Sequence, residues 1–226
     1  MAKNYPDNYF DWVVDDFPYG INLCKMPFLK ANVLVKQING NTLNPNKNNI
    51  KHGLKEWDLK TPTQVYFNEM KRISKNQILF GIEYVNWIGV GKGRIKWNKG
   101  VAKGMSFKNY ELAYCSSINH THEIDLLWSG MMQAKSLAEP MTQQGNKKLN
   151  EKRLHPCQKP VLLYKKLALD FCLKDKKIYC GHNGSGSDRI AFHNYVKEFI
   201  ASEIEKEYFD LQEKRYKIHT NNYSIF

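Results

Sequence analysis

Short apolar runs set off by polar, turn-rich stretches recur along the chain, and several intervals between them carry apolar residues at helical spacing. The first run, Trp12-Val13-Val14, leads into Asp15-Asp16 and then Phe17-Pro18-Tyr19-Gly20. A short apolar run reads as a buried strand. Proline lacks an amide donor and glycine favours a turn, so the ladder ends there. The strand therefore delivers a carboxylate, a backbone carbonyl and an aromatic ring to the rim of a sheet, where ligands bind in open α/β folds. Gln77 to Phe80, Arg94 to Trp97, Glu111 to Cys115, Lys177 to Cys180 and Phe199 to Ile204 are further predicted strands. Thr61-Pro62-Thr63-Gln64 predicts a helix start, with Thr61 as N-cap and Gln64 closing a capping box. Tyr66, Met70 and Ile73 then share a face. Pro160 opens a second helix (Leu163, Leu167, Phe171), a third starts at about Asp188, and a terminal helix carries Tyr208, Leu211 and Tyr216. Between them, residues 22–56, with Asn39-Gly40-Asn41 and Asn44-Pro45-Asn46, predict a long mobile loop.

Strands alternating with helices imply an α/β architecture. At 226 residues and 42% hydrophobic content the chain has the size and apolar content for one such domain. The formal charge of +12 points to a polyanionic partner, most often nucleic acid. From about 98 to 153, Lys99, Lys103, Lys108, Lys147, Lys148, Lys152 and Arg153 are interleaved with Phe107, Tyr110 and Trp128. That mixture suits phosphate contacts and base stacking, and marks a substrate-contacting insertion. Five cysteines form no CxxC pair and no zinc spacing, so reduced thiols and no metal site are expected. His120 and His122 read as surface residues. No apolar run reaches the length of a membrane span and the N-terminus lacks an apolar signal core, so a soluble, cytoplasmic protein is expected.

Gly181-His182-Asn183-Gly184-Ser185-Gly186-Ser187 follows the Lys177–Cys180 strand and precedes a helix, the layout of a nucleotide-type pocket. Glu203, at the end of the next predicted strand, stands near the separation of about 20 residues at which an acid grips ribose hydroxyls. Gly181 and Gly186 have P-loop spacing, but Ser187-Asp188 follow where Lys-Ser/Thr is needed. A dinucleotide fingerprint needs a third glycine where Arg189 stands. A smaller adenosine-containing ligand fits the letters better.

Asp16-Phe17-Pro18-Tyr19 resembles the D-P-P-Y motif of amino-group DNA methyltransferases. His155-Pro156-Cys157-Gln158-Lys159-Pro160 resembles their H-P-T-Q-K-P segment, and the 181–187 turn their cofactor loop. The catalytic motif first and the cofactor motif late is the order of their circularly permuted β group. Trp57-Asp58, Pro62 to Gly81 and Arg94 to Gly100 resemble phage and bacterial adenine methylases of that group. The resemblance covers most of the chain apart from 22–56 and much of 98–153. It implies a Rossmann-like S-adenosylmethionine-dependent methyltransferase fold: a single domain with a mostly parallel seven-stranded sheet and helices on both faces. It further implies methyl transfer from S-adenosylmethionine to adenine N6 in double-stranded DNA, within a bacterial or phage-infected cell. By resemblance, Asp16 and the carbonyl of Phe17 accept from the target amine, Pro18 shapes the turn and Tyr19 stacks on the flipped base. Lys159, Cys180, His182, Gly184, Ser185, Gly186 and Glu203 are the implied cofactor residues.

The family pattern has proline at Phe17, whose role is a backbone contact. It also has Asp at Cys180, where a thiol is a weak substitute. An unsatisfied partner there is expected to cost about 1–3 kcal/mol, or roughly 5- to 150-fold in cofactor binding. Gly81-Ile82-Glu83 stands where many relatives have Gly-Gly-Asn. Three other readings stay open: a degenerate DNA-binding relative, a cytosine-N4 enzyme, and an RNA or protein methyltransferase. Monomer and homodimer are likewise both open.

Overall fold

Consecutive residues of a strand face opposite sides of a sheet. In the computed structural model of the chain, Val13 accordingly packs into one apolar cluster and Val14 into another. Leu79 and Tyr179 join Val13, while Ile78, Phe80 and Ile178 join Val14. These strands are apolar on both faces because both faces are covered, as parallel sheets require.

The structure describes residues 4–22, 35–36, 42–43, 57–101, 108–146, 148 and 150–223. The elements in chain order are β1 (Phe10–Asp16), β2 (Val35–Lys36), β3 (Thr42–Leu43), α1 (Gln64–Ile73), β4 (Ser74–Phe80), β5 (Arg94–Asn98) and β6 (Tyr110–Cys115). They continue with β7 (Thr121–Asp125), β8 (Trp128–Ser129), β9 (Met132–Gln133), α2 (Val161–Asp170), β10 (Lys177–Cys180), α3 (Ser187–Phe192), β11 (Glu198–Ala201) and α4 (Lys206–Tyr223). Apart from Asn22 and the two short strands β2 and β3, the loop expected over 22–56 lies outside the described residues.

Seven strands form one sheet in the order β11-β10-β1-β4-β6-β5-β7. β1 runs parallel to both β4 and β10, and β10 runs parallel to β11. β6 is antiparallel to both its neighbours, and β7 is parallel to β5. Phe67, Met70 and Ile73 of α1 cover one face. Leu163, Tyr164 and Leu167 of α2 and Phe192 of α3 cover the other. The chain leaves β1 for β4 on one side and returns to β10 on the other, so the crevice beyond their carboxyl ends is a topological switch point.

Two expectations are corrected. The first helix begins at Gln64 after Thr63, with no side-chain cap. Gln64 does not reach back to Thr61 because its Oε1 accepts from Ile88 N at 2.7 Å and its Nε2 donates to Ile88 O at 3.1 Å. The last strand stops at Ala201, since Ser202 turns its carbonyl to Asn183 N at 2.9 Å. His120 is exposed, and His122, partly exposed on the edge strand β7, is hydrogen-bonded to Asp170 at 2.8 Å. Among the described residues no cluster of side chains could hold a metal, and no helix is long and apolar enough to cross a membrane.

Candidate active site

β1 ends in adjacent carboxylates whose side chains take different paths. Asp15, 1% exposed, turns to the cofactor-like turn. Its Oδ1 accepts from His182 N at 2.8 Å, and its Oδ2 pairs with His182 Nδ1 at 2.8 Å and accepts from the Tyr66 hydroxyl. Burial alone would raise the Asp15 pKa, but the His182 charge and these hydrogen bonds outweigh it and hold the group at about 2. Burial likewise opposes charge on His182, and Asp15 reverses that to raise the His182 pKa. Asp15 thus ties β1 to the turn after β10.

Asp16 faces the opposite partners. Its Oδ1 accepts from the Tyr19 hydroxyl at 2.7 Å and pairs with Lys159 Nζ. Lys159, 3% exposed, also contacts Glu111 at 3.1 Å and donates to the Tyr19 hydroxyl at 2.9 Å. A second lysine, Lys99, pairs with Glu111 at 3.1 Å, so two carboxylates meet two ammonium groups. Burial and Glu111 raise the Asp16 pKa against the pull of Lys159. Glu111 is held at about 2, where both lysines outweigh its own burial.

The turn before α2 sets Lys159 in place. Gln158 Oε1 accepts from Leu154 N at 2.7 Å, and Gln158 O accepts from Trp128 Nε1 at 3.1 Å. The Glu151 carboxylate accepts from Val161 N, one of the unpaired amides at the helix start. Tyr19 is shaped by Gly81: a Cβ there would lie 2.3 Å from Tyr19 Cε1, and the residue has φ +85°. One face of the Tyr19 ring stacks on Tyr84, with centroids 4.8 Å apart and planes at 11°.

Two cavities meet at this network. The first, of about 220 Å³, is lined by Asp16, Phe17, Pro18, Tyr19, Lys159, His182, Gly184, Ser185 and Glu203 among the residues expected from sequence. Cys180 and Gly186 do not line it. Cys180 is buried behind the wall, where its thiol donates to Asp15 Oδ1 at 3.4 Å. Gly184 N donates to Glu203 Oε2 at 2.7 Å, which joins the turn to the second residue after β11. Sequence reasoning missed Asn183, Asp188, Tyr164 and Trp57 in this wall and Glu111 beside it. Only the position of Asn183 and Asp188 flanking the glycines could have signalled them. The second cavity, of about 280 Å³, shares Tyr19, Cys157, Gln158 and Lys159 with the first. Tyr84, Trp97, Lys99, Lys108, Trp128 and Arg153 complete its aromatic and basic wall. Lys103, Phe107 and Lys147 lie outside the described residues.

A buried carboxylate–lysine network at the switch point of a mostly parallel sheet invites comparison with solved structures. M1.HpyAVI in complex with S-adenosylmethionine superposes with a TM-score of 0.50 at 16% identity, over 94% of this chain and 90% of that one. The cytosine-N4-specific PvuII DNA methyltransferase superposes with a TM-score of 0.51 at 11% identity, over 99% of this chain and 88% of that one. The Rossmann-like fold is shared with both. No protein-family model matches the chain, and no curated protein matches it in sequence.

Proposed function

We propose that the protein is an S-adenosylmethionine-dependent DNA methyltransferase that modifies the N6 amine of an adenine flipped out of duplex DNA. The observation that carries this reading is a meeting of distant segments. Asp16, Phe17, Pro18 and Tyr19 share one cavity with His182, Gly184, Ser185 and Glu203.

The cavity also fits the cofactor chemically. Asp16, Asp188 and Glu203 line it, matching a ligand that carries a ribose diol, a sulfonium and an ammonium group. Gly184 and Gly186 adopt φ of +53° and +69°, a conformation that lets backbone amides approach a ligand closely. Glu203 would hold the ribose hydroxyls, and the 182–185 backbone would line the methionine end. When bound, S-adenosylmethionine supplies an electrophilic methyl group.

The chain's own residues then prepare the amine. An exocyclic amine conjugated to a base ring is a poor nucleophile and is hidden inside the duplex, so the base must be extruded. The second cavity, with Tyr84, Trp97, Trp128 and three basic residues, suits the base and its flanking phosphates. Lys159 and Tyr19 hold Asp16 Oδ1, which leaves Oδ2 to accept one amine hydrogen. The Phe17 carbonyl accepts the other, which turns the amine lone pair toward the methyl group. Fixed geometry and a preorganised electrostatic network supply the rate, without a covalent enzyme intermediate.

Adenine over cytosine rests on the sequence resemblance alone. Incubation with labelled S-adenosylmethionine and duplex DNA, followed by mass spectrometry of the nucleosides, tests both points. N6-methyladenine supports the proposal, and N4-methylcytosine redirects it to the other amine. DNA binding with neither product would favour the degenerate relative. Asp16→Ala is expected to lower transfer by at least 100-fold, on the scale of about 10²–10³ for losing one preorganised transition-state hydrogen-bond partner.

A further inference from the structure

At the α3 end of the first cavity sits a carboxylate that takes no part in the network around Lys159. Asp188 lines the cavity and is 2% exposed. Its Oδ1 accepts from Asn183 Nδ2 at 2.6 Å and from Arg189 N at 2.8 Å. No cationic side chain among the described residues forms an ion pair with it, in contrast to Asp15, Asp16 and Glu111. Arg215, which feels its charge, is paired with Glu151 at 3.1 Å. A buried carboxylate normally has a charged partner or becomes protonated.

A second acceptor beside it is also unmet. Asn183 lines the same cavity, and its Oδ1 is buried with no hydrogen-bond partner. The amide cannot simply be turned over, because Nδ2 is committed as donor to Asp188. A buried orphan acceptor costs about 1–3 kcal/mol. Asn183 Oδ1 is closed off from the cavity beside Gly186, so Asp188 is the acceptor that defines a place there for a small cation with several N–H donors.

We propose that Asp188 binds the α-ammonium group at the methionine end of the cofactor, so that the acidic role absent from position 180 is filled eight residues later. This rests on the cofactor assignment above. It explains why a thiol is tolerated at 180: Cys180 lies behind the wall, donates to Asp15, and need not touch the ligand. Burial pushes the Asp188 carboxyl up to about 7, the behaviour of a charge whose partner has still to arrive.

Calorimetric titration of the full chain with S-adenosylhomocysteine and with its analogue lacking the α-amino group tests the assignment without any turnover. Wild type should bind the deaminated analogue roughly 10-fold or more weakly, the scale of a lost charge-assisted hydrogen bond. Asp188→Asn should weaken S-adenosylhomocysteine by a similar factor and leave the analogue within about twofold, so that the two ligands become nearly equal. A preference for the amino group that survives Asp188→Asn overturns the proposal and leaves the cofactor reading intact. Equal affinity of wild type for both ligands overturns it as well, and needs no variant to fold. Binding of neither ligand by wild type overturns the cofactor reading and this proposal together.

Discussion

At position 180 a thiol separates two buried carboxylates, and the electrostatics there set two expectations. An aspartate would place a third carboxylate between Asp15 and Asp188, where His182 pairs with Asp15 and no cationic side chain among the described residues pairs with Asp188. Cys180→Asp, the change toward the family pattern, should therefore destabilise the protein by on the order of 3 kcal/mol. Cys180→Ser, which keeps a donor to Asp15, should change stability by less than about 1 kcal/mol. Urea midpoints of the two variants decide this, and a Cys180→Asp protein as stable as wild type would contradict it. Asp188 sets the second expectation. Burial raises its pKa from 3.8 to about 7, with the Cys180 thiol and the Arg189 amide pulling partly back. The folded state then binds this proton more tightly than the unfolded state. The group's contribution to stability is full below about pH 4, falls as pH rises toward 7 and is flat above that. Asp15 and Glu111, both held at about 2, change only at lower pH and in the opposite sense. His182, whose pKa is raised, titrates in wild type and variant alike and drops out of their difference. Asp188→Asn should therefore gain on the order of 2–3 kcal/mol relative to wild type between pH 5 and pH 8. Urea unfolding at the two pH values measures it, and a pH-independent difference would mean that Asp188 is ionised throughout.

Between elements, the close approach of β4 to the turn after β1 is set by one glycine. Gly81 has φ +85°, and a side chain there would enter the Tyr19 ring. Gly81→Ala should cost about 1–2 kcal/mol in backbone strain and push Tyr19 off both Tyr84 and Asp16. Methyl transfer should fall by at least 10-fold with a stability loss no larger than that strain, because the displaced Tyr19 ring lines both cavities. A far larger drop in the urea midpoint would place the effect in global folding. The same contrast between local and distant causes explains what could be read from the letters. β1, β10 and the helix after Pro160 were legible because β1 and β10 are buried on both faces and Leu163 and Leu167 hold the α2 core stripe. The edge strand β7 was not, because within it only Ile124 is buried and the alternation is lost among Thr, His and acids. The motif residues were visible through local letters, whereas Glu111 and Asp188 depend on partners brought in by the fold. Glu111 looks like an ordinary strand residue until Lys159 and Lys99 reach it. Cys180 misleads for the same reason: its place at a strand end is legible, but the wall that hides it is not.

Across the whole molecule, the charge of +12 and the basic second cavity make one quantitative demand. Much of the basic charge nearest the site is already matched: Lys159 by Asp16 and Glu111, Lys99 by Glu111, and Lys108 by Glu83. Arg153 differs. Its guanidinium lies 4.6 Å over the Trp128 ring and donates to the Gly130 carbonyl at 3.2 Å, at the exposed rim of the cavity. That position suits a phosphate flanking an extruded base, with Trp128 beneath as a stacking platform. Each neutralised phosphate contributes a slope of about −0.9 to log K against log salt. Duplex affinity should therefore fall steeply between low and physiological salt. Arg153→Ala should flatten that slope by about one and weaken all sequences alike, because phosphate contacts carry no base information. Fluorescence anisotropy over a salt series with two unrelated duplexes reads both quantities. Affinity insensitive to salt would remove DNA as the partner that the charge serves. An Arg153→Ala loss confined to one duplex would instead make Arg153 a reader of bases, since only groups touching base edges discriminate one sequence from another.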